Sequence, residues 1–170
     1  MTTNRYQELI QAIQEHTIEI QNTHAKHINC EAGCHSCCLP DLHISGIEKQ
    51  RIAKYIQSSS ILIETLQKLK EKNPYQSTRC QMLDENGFCS IYEVRPIICR
   101  THGLPILFQD KDQWFADVCS LNFVTDSLDI LEQDDFLPLD FINHELAFAN
   151  IEEDFDDSRY PIDISIFLQQ

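Results

Sequence analysis

The stretch Cys30-Glu31-Ala32-Gly33-Cys34-His35-Ser36-Cys37-Cys38 decides how this chain is read. Spacings of three and two residues let several sulfurs converge from one short loop, as a soft metal ion or an iron–sulfur cluster requires. Cys37 and Cys38 are adjacent, and consecutive side chains do not easily aim at one tetrahedral centre. The two thiolates are therefore expected to serve different metals or different atoms of one cluster. Four more cysteines follow, Cys80, Cys89, Cys99 and Cys119, and eight thiolates would supply two four-cysteine sites. Taken singly, any of the later four reads equally well as a buried, inert thiol.

Outward from the cluster, the pattern is helical on the N-terminal side. Tyr6, Leu9, Ile10, Ile13, Thr17 and Ile20 recur at three- and four-residue spacing, which predicts an amphipathic helix over 4–27. Ser45 and Glu48 have the S-x-x-E form of a capping box opening a helix to about Gln57. A helix with Leu62, Leu66 and Leu69 follows over 60–72 and is ended by Asn73-Pro74. From Thr78 to Cys119 the expectation is short extended pieces, with a tight turn at Asn86-Gly87 and no simple helix at Arg95 before Pro96. Leu104–Phe108 and Trp114–Val118 flank polar residues as a hairpin does. Helices are expected near Ser127–Gln133 and Asp140–Asn150, with an edge strand where Ile162, Ile164 and Ile166 alternate. Gly33, Gly87 and Gly103 each lie within four residues of a cysteine, which fits a backbone bent tightly around something. The fold class expected is mainly α with a small β-hairpin, helices packing an irregular cysteine-rich metal-binding centre. One domain over 1–170 is expected, with its motif core at 30–119 and an acidic C-terminal extension at 123–170.

Composition narrows the function. There are 13 Lys+Arg against 27 Asp+Glu, a net charge of -14, so a basic surface for nucleic acid or anionic lipid is excluded. Met1 to His16 lacks the basic and apolar stretches of a signal peptide, and no run approaches the roughly 18 apolar residues of a membrane span. The expectation is a cytoplasmic protein whose thiols stay reduced, which favours metal ligands over disulfides.

The C-x3-C-x2-C-C cluster continues into Cys80-Gln81-Met82-Leu83-Asp84-Glu85-Asn86-Gly87-Phe88-Cys89-Ser90-Ile91-Tyr92-Glu93-Val94-Arg95-Pro96-Ile97-Ile98-Cys99-Arg100. Together these resemble the YkgJ-type cysteine-cluster family, described as chelating zinc or iron. The resemblance spans about residues 30 to 119, and only Gln81, where relatives often carry Pro, departs from it. It implies that Cys30, Cys34, Cys37, Cys38, Cys80, Cys89, Cys99 and Cys119 are all metal ligands. Arg95 and Arg100 would then offset the excess negative charge of eight thiolates, with His102 as a further donor near the sulfurs. For Arg95, a surface ion pair with Glu93 or Asp84 is an equal alternative. His35 is expected to point away, and His24 and His27 to share a solvated helix face. His16, His43 and His144 have no partner that the sequence names.

Three functional classes stand. The first is a zinc, iron or iron–sulfur protein acting in metal handling or redox, with metal ions as its partners. The second is a zinc-stapled module whose acidic surface meets a protein partner. The third is a small metal-dependent or iron–sulfur enzyme related to the flagellin lysine methylases, longer relatives of the same family, although no methyl-donor site is legible. Cys34-His35-Ser36-Cys37 also fits a redox C-x-x-C, but no βαβ pattern surrounds it. Cys30, Cys34 and Cys37 match a radical-enzyme cluster spacing, yet 170 residues do not offer the large barrel those enzymes need. H-E-x-x-H, G-x-S-x-G and P-loop signatures are absent, and the residue carrying catalysis, if any, is unknown.

Overall fold

A computed structural model describes residues 4–72, 78–124 and 128–168. In chain order the elements are α1 (Arg5–Thr23), β1 (His43–Ile44), α2 (Gly46–Gln57), α3 (Ser60–Lys72), α4 (Ile97–Thr101), β2 (Ile106–Asp110), β3 (Gln113–Asp117), β4 (Leu137–Pro138), α5 (Leu139–Glu152), β5 (Tyr160–Pro161) and α6 (Ile164–Leu168). The mainly helical expectation holds, with two small sheets in place of one hairpin. No helix among the described residues is long and apolar enough to cross a membrane. The chain divides into two compact units, a first of Met1–Glu31 with Arg100–Glu153 and a second of Ala32–Cys99 with Asp154–Gln170.

The first unit starts at Asn4, whose Oδ1 accepts the Gln7 amide at 3.1 Å and so satisfies an unpaired donor of the first turn. Helix α1 then buries Tyr6, Leu9, Ile13 and Ile20, residues of the expected stripe, and packs against α5. It ends at Thr23, four residues before the expected limit. Tertiary partners take over there: His24 Nε2 lies 2.8 Å from Asp135 Oδ1, and the His27 carbonyl accepts the Phe123 amide at 2.7 Å. The hairpin is present as β2 and β3, paired from Ile106↔Asp117 to Asp110↔Gln113. Its two turn residues, Lys111 and Asp112, both have positive φ, the backbone of a turn whose twist matches the strands. β4 adds to the other side of β2 in parallel. The helix expected near Ser127–Gln133 is instead two 3₁₀ turns, Leu128–Ile130 and Gln133–Asp135, while Ser127 itself lies outside the described residues. Asp135 Oδ2 accepts the Glu132 amide at 2.8 Å, a local bond that competes with continued helix.

The second unit builds its core from Ile52 and Ile56 of α2, Leu66 of α3, the loop residues Met82, Leu83 and Ile91, and Ile164 and Phe167 of α6. The capping box forms as expected, with the Ser45 amide and hydroxyl both donating to Glu48 Oε2 at 2.9 Å. α3 runs over the expected range, and Asn73-Pro74 lies outside the described residues. Two expectations are overturned. The region after Cys89 is not extended: a 3₁₀ turn covers Tyr92–Val94 and α4 follows directly after Pro96. Proline fits there because its fixed φ suits a helix start and its missing N–H would have no partner. The Ile162, Ile164, Ile166 alternation does not mark a strand either. Asp163 Oδ1 accepts the Ser165 amide at 2.6 Å and opens α6, so Ile164 and Phe167 are buried at helical spacing. The strand lies just before, as β5, antiparallel to β1.

Candidate metal centre

In the second unit the cysteine loop is held by two close backbone approaches. Gly33 and Gly87 both have positive φ, and a Cβ on Gly87 would lie 2.5 Å from His35 Cδ2 and 2.9 Å from the Gly33 carbonyl. The Asn86-Gly87 turn therefore packs on the loop, and its shape is set by Asp84 Oδ1, which accepts the amides of Asn86 at 2.9 Å and Phe88 at 2.8 Å. His35 packs on this turn. The Cys80 amide donates to the Cys38 carbonyl at 2.8 Å, and Leu83 and Cys89 form an isolated antiparallel bridge.

These contacts bring Cys37, Cys38, Cys80, Cys89 and Cys99 into one electrostatic neighbourhood backed by the hydrophobic core. The Cys37 thiol donates to the Cys38 sulfur, which raises the Cys37 pKa and lowers that of Cys38. The side chains of the adjacent pair are thus hydrogen-bonded to each other. Burial pushes Cys80 up, Cys89 up to about 11 and Cys99 further still, with Cys80 and Cys89 adding to the rise at Cys99. Thiols in this setting stay protonated unless a cation offsets their charge. Arg95 supplies part of that offset, drawing Cys37, Cys89 and Cys99 downward while its guanidinium stacks 3.7 Å from the centre of the Tyr92 ring. Cys34, on the same loop, is exposed.

Sequence reasoning read Glu48 only as a helix cap. Its side chain does more: Oε1 accepts the Ile97 amide at 2.8 Å, and its charge acts on Cys99. One buried carboxylate therefore fastens the starts of both α2 and α4, and α4 carries Cys99. The S-x-x-E motif announces the first role, and nothing local announces the second.

The first unit holds Cys30 and Cys119. They flank Gly103, where an added Cβ would lie 3.2 Å from Cys30 Sγ and 3.8 Å from Cys119 Cβ. Buried Asn122, which sequence reasoning missed, donates to Cys30 Sγ at 3.3 Å and to the Gly103 carbonyl at 2.5 Å. Its Oδ1 accepts the Asn29 amide at 2.8 Å. His102 is adjacent to Gly103, and burial lowers its pKa against the opposing pull of Asp117. Its Nδ1 is shielded from solvent with no hydrogen-bond partner among the described residues. Arg100 belongs to this unit as well.

The remaining histidines are better satisfied than the sequence suggested. His24 is buried against Asp135, and His27 stacks on Phe123 with ring centres 5.6 Å apart. His16 Nε2 bonds the Asp134 carbonyl at 2.7 Å, His43 Nδ1 bonds the Asp41 carbonyl at 2.9 Å, and His144 meets Phe148 edge-on.

The chemistry of the donor set suits zinc or iron, because both accept thiolate sulfur and buried thiols of raised pKa gain a counter-charge from either. No group of three or more His, Cys, Asp or Glu side chains among the described residues is drawn together tightly enough to hold a metal ion. A family model matches residues 29–120, more than half of the chain, and carries the description "Putative zinc- or iron-chelating domain". No curated protein and no solved structure matches the chain.

Proposed function

The chain belongs to the CxxCxxCC family, and from that premise we propose that it binds zinc or iron through its eight cysteines and works in metal handling or electron transfer. Cys34, Cys37, Cys38, Cys80, Cys89 and Cys99 form the ligand set of the second unit, and Cys30 and Cys119 that of the first. The observation that carries the reading is the cluster of mutually interacting thiols on the second unit's core, with Arg95 among the charges acting on them. Zinc would tie metal occupancy to folding, and iron or an iron–sulfur cluster would add a redox change.

Each other part has a task that the chain's own side chains perform. Arg95 offsets thiolate charge. Glu48 holds the start of α4 and so the position of Cys99. Asn122 orients Cys30 through a donated hydrogen bond, as groups around a metal ligand commonly do.

The test is elemental analysis and a visible spectrum of the full chain purified without oxygen. Zinc without colour supports a stapling ion, and iron with acid-labile sulfide and a brown absorbance supports redox chemistry. Protein that holds neither metal, and takes up neither on reconstitution of the reduced chain, contradicts the proposal.

A further inference from the structure

We infer that the exposed side of α5 docks the apolar face of a basic amphipathic helix from another protein. The inference does not depend on the cysteines or on what they bind.

α5 is apolar on two sides. Ile142, Leu146 and Ala149 face the core of the first unit, as a surface helix requires. Phe141, Phe148 and Ile151 remain 60%, 44% and 57% exposed. With His144, whose ring lies 4.7 Å from that of Phe148, they recur at three- and four-residue spacing and form a second stripe. Residues 141–151 cover three turns, about 15 Å, the length over which a partner helix engages a groove or face. Exposed aromatic groups gathered on one stripe mark an interaction surface rather than scattered surface apolarity.

The charge around the stripe selects the occupant. Residues of the first unit number 4 Lys+Arg against 16 Asp+Glu, a net of -12 out of -14 for the whole chain. Glu145 and Glu152 edge the stripe and share one cation, Arg5, at 2.8 and 2.9 Å, and the same guanidinium lies 5.5 Å from the centre of the Phe148 ring. Asp140, in the first turn of α5, adds another carboxylate, which accepts the Gln109 amide. A second copy of this chain would bring an identical acidic rim against this one, and an anionic bilayer would be repelled likewise. A helix with an apolar stripe and Lys or Arg on its flanks complements both features.

The test uses the intact chain and a labelled 18-residue Leu/Lys amphipathic peptide, read by fluorescence anisotropy. Two comparison peptides keep either the Leu face with Glu flanks or the Lys flanks with a Ser face. The Leu/Lys peptide should bind at least about tenfold more tightly than either, and the double variant F141Q/I151Q should lose about tenfold with unchanged circular dichroism. Both substituted side chains are mostly exposed, and amide shifts of the unsubstituted protein on peptide addition should centre on α5, which gives a reading independent of the variant. Equal binding by the Lys/Ser or Leu/Glu peptide, retained affinity in F141Q/I151Q, or shifts centred elsewhere would overturn the proposal. So would a dimer, or binding to phosphatidylserine vesicles, that F141Q/I151Q abolishes, since each would identify a different occupant.

Discussion

The two units of this chain spend their sequence differently. The second carries six of the eight cysteines and a net charge of only -2, from 9 Lys+Arg against 11 Asp+Glu. Its core takes in Cys38, Cys80, Cys89 and Cys99, and it leaves Leu39, Ile61, Phe88 and Tyr92 exposed. The first carries a net of -12, holds two cysteines and leaves Trp114, Phe115, Phe141, Phe148 and Ile151 exposed. The comparison separates two kinds of chemistry that whole-chain composition blends: thiols kept in a near-neutral, core-backed setting, and an acidic surface with apolar groups on it. The charges acting on the second unit's thiols include those of Arg95 and Glu48.

The largest effect expected from perturbing only one unit is loss of bound metal in C38S/C99S, measured as metal per chain after anaerobic purification. Peptide binding at α5 should persist in that variant, and its loss would show that the units are not separable. Next is E48A, which strands the Ile97 and Ser45 amides and removes a buried cap. The cost should be about 3 kcal/mol, read as faster amide exchange in α2 and α4 with exchange in α5 unchanged.

Alkaline pH gives a third, smaller test on metal-free protein. The Cys89 thiol is pushed up to about 11 from a model-peptide value of 9.0, so the unfolded chain releases this proton first. Stability from this group is complete below pH 9, falls as pH rises through the interval to about 11, and amounts to about 2 to 3 kcal/mol. Urea unfolding of the reduced metal-free chain from pH 8 to 11 should show this decline together with those of Cys80 and Cys99, whose thiols are raised likewise, and C89A should make it shallower. A metal that binds the thiolate would reverse the trend by removing the proton at lower pH. The smallest effect is that of F141Q on stability, within about 0.5 kcal/mol because its ring is mostly exposed, checked by thermal unfolding.

Much of the helical scaffold was legible because its signals are local. The α1 stripe, the Ser45/Glu48 box and the α3 leucines each act within a few residues, and the Asn86-Gly87 turn and the β2/β3 hairpin are equally local. Misreadings came where a distant partner outweighed a local pattern. Asp163 turned an alternating isoleucine run into α6, Glu48 secured a helix after Pro96, and Asp135 was drawn to His24. At the candidate site, the cysteine spacing pointed to sulfur ligands, but it did not reveal that six cysteines fall in the second unit and two in the first, or the hydrogen bond between Cys37 and Cys38. Both depend on which segments pack together, and that information sits in the core residues rather than in the motif. Asn122 was invisible for the same reason, since its bond to Cys30 spans most of the motif.

The central claim is that cysteine sulfur holds a zinc or iron ion. Extended X-ray absorption fine structure at the metal edge of the anaerobically purified full chain tests it most directly. The account predicts a scattering shell of sulfur at about 2.3 Å, diminished in C38S/C99S. A shell made only of nitrogen and oxygen at about 2.0 to 2.2 Å, unchanged by that substitution, would contradict it.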